Sequence, residues 1–98
     1  MSLPVIFRPV AQMELDDALA WYKRQRDGLE QEFMAVVDQL LARISATPLR
    51  FAPVRGDIRR ALLPCFPYAS HFVPEQNGII VLAVFHVRRD PRHLEGRS

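Results

Sequence analysis

Residues 79–92 read Ile79-Ile80-Val81-Leu82-Ala83-Val84-Phe85-His86-Val87-Arg88-Arg89-Asp90-Pro91-Arg92. Seven apolar residues stand in a row before His86, most of them β-branched or aromatic. A run of that length, bounded by turn residues, predicts a strand buried on both faces. Asn77-Gly78 immediately ahead of it tolerates positive φ and suits a tight turn. At the far end Pro91 has no N–H to give a ladder, so pairing stops. The strand therefore carries fixed positive charge, on Arg88, Arg89 and Arg92, to its own C-terminal end.

Working outward, residues 74–78 form the turn into this strand, and residues 68–73 form the strand before it. Pro64 and Pro67 confine the stretch between them to a bend, and residues 58–63 make a further strand that opens with Arg59 and Arg60. These three strands predict an antiparallel meander. Residues 49–56, around Pro53 and Gly56, read as a loop. Earlier still, Phe33, Val36 or Val37, Leu40, Leu41 and Ile44 line one side of a helix that ends near Ala46, before Thr47-Pro48. Asp27 is placed to cap that helix, with Glu30 completing a capping box. Ala11, Leu15, Ala18, Leu19 and Tyr22 mark a helix over residues 10–26, with Pro9 in its first turn. Its acids Glu14, Asp16 and Asp17 come early and Lys23, Arg24 and Arg26 late, as the macrodipole prefers; Trp21 flanks its apolar face. Residues 3–7 supply a first short strand. Two amphipathic helices with so short a link fold back as an antiparallel hairpin. The expected fold is α+β: a two-layer sandwich in the order β-α-α-β-β-β, its helical hairpin packed on a small antiparallel sheet.

The 98 residues make a single domain over 1–98, and 49% hydrophobic content supports a core without metal or disulfide staples. The lone Cys65 has no internal partner, which fits a reducing cytoplasm; in Pro64-Cys65-Phe66-Pro67 it reads as a small core or strand-edge residue. No signal peptide and no run long enough to span a membrane is visible, so a soluble cytoplasmic protein is expected. The formal net charge is only +2, but it is uneven: residues 1–49 hold five Lys/Arg against seven Asp/Glu, and residues 50–98 hold eight against four. One basic face could attract nucleic acid or an acidic protein, the alternative being an ordinary solvated surface.

No metal site is expected, because His71, His86 and His93 are scattered and no second cysteine exists. No cofactor motif, glycine-rich phosphate loop or nucleophile motif is present. The informative group is basic. Arg59 or Arg60 and Arg88 or Arg89 could converge on one edge of the sheet, where guanidinium forks suit phosphates and carboxylates. His86 and His93 could titrate nearby as acid or base. Neighbours on a strand face opposite sides, so at most one residue of each pair belongs to any single pocket.

Three segments also carry a resemblance: Ala18-Leu19-Ala20-Trp21-Tyr22-Lys23-Arg24-Gln25-Arg26-Asp27-Gly28-Leu29, then residues 59–68 (RRALLPCFPY), then residues 81–91 (VLAVFHVRRDP). In that order and spacing the chain resembles the ParE branch of the ParE/RelE toxin superfamily, from about Val5 to Arg92. The resemblance implies the toxin of a type II toxin–antitoxin module, a plasmid-stabilisation type of protein, neutralised by a cognate ParD-like antitoxin. ParE-type members poison DNA gyrase, whereas RelE-type members cut messenger RNA on the ribosome. With no lysine after Lys23 and no tyrosine after Tyr68, the expectation is a gyrase-directed inhibitor rather than an enzyme. The alternatives are a ribonuclease using Arg59, Arg60, His86 and Arg88, or an inactive member that still binds antitoxin. Target contacts are expected from Arg59, Arg60, His86, Arg88, Arg89 and Arg92, and antitoxin contacts from Leu19, Trp21, Tyr22 and Phe33 beside an apolar groove. Pro74 stands where the resemblance implies a basic residue, which thins the positive face.

Overall fold

The computed structural model of the protein describes residues 3–89 and 91–97, without the side chains of Pro91 and His93. The acid or base role expected of His93 therefore lies outside the described set. Strand β1 (Val5–Phe7) leads into helices α1 (Pro9–Gln25) and α2 (Leu29–Ala46). Strands β2 (Pro53–Arg55), β3 (Ile58–Leu62), β4 (Tyr68–Glu75) and β5 (Gly78–His86) follow. Short 3-10 turns, Pro48–Arg50 and Pro91–Leu94, precede β2 and follow β5.

The sheet order is β1-β5-β4-β3-β2. The meander β3-β4-β5 is antiparallel, as its short connections require, while β1 pairs with β5 in parallel through Val5↔Ile79, Ile6↔Ile80 and Phe7↔Val81. The sheet is thus mostly antiparallel, with one parallel seam. Both helices cover one face. Phe33, Ile44, Phe72 and Ile79 are fully buried there, between hairpin and sheet. The Tyr22 and Phe33 rings stack at 4.8 Å, and Phe66 and Tyr68 meet both edge-on. The opposite face carries a smaller cluster of Ile58, Leu82, Ala83 and Phe85, closed by Leu94 from the C-terminal turn. That second cover explains why β5 is apolar at consecutive positions: each of its faces has something to pack against.

Five local expectations change. Asp27 does not cap α2; the N-cap is Gly28 at φ 85°, and no side chain bonds there. The hairpin needs a left-handed residue at the junction, glycine takes it at least cost, and the helix start moves one residue on. Glu30 consequently closes no capping box, and its Oε2 is buried without a partner. Residues 49–56 are not a plain loop, since Pro53–Arg55 adds an exposed edge strand, where a proline is tolerated. Pro74 lies inside β4 opposite Ile79, past the last β3 pair at Arg59↔Phe72, so its missing N–H breaks no ladder there. Cys65 is exposed at φ 67° in the bend, not a core residue. Gly78 is needed for space rather than for positive φ: a Cβ would sit 3.2 Å from the Pro4 carbonyl oxygen, which accepts the Ile79 N–H at 2.8 Å.

Candidate functional site

Because β1 ends at Phe7 and β5 runs on to His86, the distal edge of β5 has no strand beside it. Helix α1 passes there instead. Glu14, three residues after buried Ala11 and so on the inner stripe of α1, turns its carboxylate to the open edge. Its Oε1 accepts the Val84 N–H at 3.1 Å and the Arg97 guanidinium at 2.9 Å, while Oε2 accepts Arg89 at 2.9 Å. Both arginines also lie over the Phe85 ring, at 5.5 and 5.8 Å. One carboxylate thus fastens the segment after β5 to the first helix. Neither charge patterning nor motif pointed to it, although the step from Ala11 to Glu14 places an acid on an apolar stripe, and that was the available signal.

Further along the same edge lies a cleft of about 360 Å³ between α1 and β5, lined among others by Asp17, Trp21, Arg24, Tyr68, His86 and Arg89. A groove beside Trp21 was expected, but its walls are charged as well as aromatic. Trp21 is 47% exposed and rests edge-on against Tyr22. Leu19 is partly buried against the core. Phe33 and Tyr22 are core residues, closed off between hairpin and sheet, so of the four expected antitoxin contacts only Trp21 and part of Leu19 present surface in this conformation. Burial raises the pKa of both Tyr22 and Tyr68, with Tyr68 adding a smaller electrostatic push on Tyr22.

The basic residues divide between the faces. Arg59 pairs with Phe72 and points to the helix side, where its Nη1 donates to the Phe51 carbonyl at 2.6 Å. Arg60 pairs with His71 and points to the other side. His86 sits opposite Tyr68, its ring 5.7 Å away, and its Nδ1 accepts the Arg88 N–H at 3.1 Å. Arg88 and Arg92 are exposed beyond the strand. The four residues proposed for ribonuclease chemistry therefore do not assemble: the sheet stands between Arg59 and Arg60. Arg60 and Arg89 do meet, one from each pair, in a hollow of about 310 Å³ on the helix-free face, with Arg55 and His71. His71 is only 4% exposed and packs 4.7 Å from Phe85. Burial first, then repulsion from Arg60 and Arg97, lowers its pKa to about 4. It is a neutral imidazole at physiological pH. Among the described residues no cluster of three His, Cys, Asp or Glu could hold a metal ion, and no helix is long and apolar enough to cross a membrane.

Neither a family model nor a curated protein matches the chain. Among solved structures it is similar to a chain described as "Chromosomal ParDE TA system from P. aeruginosa", with a TM-score of 0.69 and 16% identity, over 87% of this chain and 96% of that one. At that identity the likeness defines the fold, a helical hairpin on a mostly antiparallel sheet, and the two chains share it.

Proposed function

We propose that this protein is the toxin of a toxin–antitoxin module, held inactive by an antitoxin of ParD type and directed against DNA gyrase. Its fold, shared with a chain from a ParDE system, supports the toxin reading. The observation against the ribonuclease set expected from Arg59, Arg60, His86 and Arg88 is the division of these residues between the faces. Phosphodiester cleavage needs a charge-stabilising cation and a proton-transfer group on the same phosphate. Here Arg59 is tied to a backbone carbonyl, His86 lies on the helix side, and Arg60 lies on the other face. A protein that works by binding needs no such convergence.

The antitoxin docks an acidic segment that orders on binding along the cleft between α1 and β5, with Trp21 as the aromatic anchor and Arg24 and Arg89 as charge partners. Controlled expression of the chain alone in a bacterial host, beside a DNA-damage reporter, tests the target. Arrest with reporter induction, and loss of supercoiling by purified gyrase, is the expected result. Arrest with a silent reporter and cut messages would overturn the gyrase assignment. Trp21→Ala is expected to weaken antitoxin binding at least tenfold, and unchanged affinity would sink the cleft assignment.

A further inference from the structure

Arg60 and His71 stand directly opposite one another on β3 and β4, so their side chains leave the helix-free face side by side. Arg55 from the edge strand and Arg89 from beyond β5 close the same hollow, and Leu94 lines it from the C-terminal turn. Three guanidiniums around one space repel each other unless anions answer them. Arg89 has Glu14 at 2.9 Å, but Arg55 has only a loose contact with Glu95 at 3.7 Å, both side chains being more than half exposed. The Arg60 side chain has no hydrogen-bonding or ion-pair partner among the described residues.

His71 provides a second and independent sign. Its ring is 4% exposed, lines the same hollow, and leaves Nδ1 without a partner. A buried ring nitrogen without a protein partner among the described residues forfeits its hydration with nothing from the fold in exchange.

We propose that the hollow between Arg55, Arg60 and His71 is a binding site for a phosphate group carried by a small ligand. Arg60 offers two parallel N–H donors that match two phosphate oxygens, and His71 donates its ring N–H to a third. Val54, Phe85, Val87 and Leu94 form the apolar part of the wall, which suits the sugar or carbon part of a phosphate monoester better than water. Arg60 and Arg89 also stand among the expected target contacts, but ligand binding is read on His71 itself, so failure here leaves the toxin reading untouched.

The site has a built-in proton linkage. When empty, it keeps His71 neutral, since burial and the charges of Arg60 and Arg97 oppose an added proton. A bound phosphate supplies the opposite charge and favours the imidazolium, so binding raises the pH at which His71 takes up its proton. The other charges around His71 are Arg55 on β2, Arg89 after β5 and Arg97 in the C-terminal segment, with Glu95 and Glu14 as their paired carboxylates. A phosphate monoester takes up its own second proton at about pH 6, so the linkage is read on the His71 ring and not from affinity alone.

Nitrogen-15 NMR of the imidazole rings reads this directly, with His71 assigned by its loss in His71→Gln. Inorganic phosphate and adenosine monophosphate are titrated separately, each against chloride at equal ionic strength. Saturable movement of the His71 signals, and a rise of its titration midpoint by a unit or more, is expected. Adenosine monophosphate binding severalfold tighter supports the monoester, whereas equal affinity keeps the site and assigns it the free anion. Arg60→Gln should weaken binding at least tenfold with its amide spectrum preserved, Arg60→Lys should fall between, and Arg50→Gln on the distant 3-10 turn should bind like the parent. His71 signals indifferent to both ligands, or Arg60→Gln binding like the parent, would overturn the proposal.

Discussion

The two faces of the sheet are packed in different ways. Under the helices the core is aromatic and closed, and the Phe33 and Phe72 rings have no exposure at all. On the other face a small cluster is finished off by one leucine from the C-terminal turn, and beside it lie three arginines, of which Arg60 has no side-chain partner among the described residues, and the unpaired Nδ1 of His71. A close-packed apolar layer is what holds a small domain together. Unanswered charge and an unpaired buried nitrogen cost stability, and a fold keeps such features where they serve recognition. The contrast assigns stability to the helix-covered face and leaves the other to the proposed phosphate site.

The largest expected effect tests the first half of that contrast. Phe33→Ala should lower unfolding free energy by about 3–5 kcal/mol in a denaturant titration, because a fully buried ring leaves a cavity its aromatic neighbours cannot fill. Next comes acid sensitivity from the other face. His71 has its folded pKa depressed to about 4 from an ordinary value of 6.5, so protonation favours the unfolded chain. Stability is then intact above pH 6.5 and falls as pH drops from there toward 4, by at most about 3 kcal/mol in total. Denaturation midpoints at pH 7 and pH 5 should separate in the parent and converge in His71→Gln; equal pH dependence in both would remove His71 as the cause. Leu94→Ala should cost about 2 kcal/mol, the lower end for a buried leucine, since only a small cluster depends on it. A loss as large as that of Phe33→Ala would erase the distinction between the faces. Arg26→Ala breaks an ion pair with Glu32 whose partners are 60% and 58% exposed, and should cost less than about 1 kcal/mol in the same titration.

What the sequence disclosed follows the same division. Helix periodicity, the apolar run at 79–85 and the prolines around Cys65 are local signals, and they led to both helices, the meander and the two-layer arrangement. Strand β2 carried no such signal, because Pro53, Val54 and Arg55 are all exposed and show no alternation. The Asp27 cap failed because a tertiary demand, the left-handed turn at Gly28, outweighed a good local motif. The basic residues were visible as a group. Which of them meet depended on strand register, and only the pairing of Arg59 with Phe72 and of Arg60 with His71 sorts them. His71 was noticed only as one of three scattered histidines, since nothing local marks a ring that becomes buried between Arg60 and Phe85. Glu14 joins residues 70 to 83 positions away, a separation no pattern along the chain can register.

The carboxylate of Glu14 has a consequence for how this protein behaves in concentrated solution. A strand margin with free N–H groups invites the same margin of another copy, and two such edges zip together into sheets that continue from molecule to molecule. Here the first inviting group past β1, the Val84 N–H, is already taken, and the acceptor that takes it is charged and flanked by bulky arginines. Replacement of Glu14 by alanine turns a quiet border into a template, and the chain becomes prone to precipitate as fibrous aggregate.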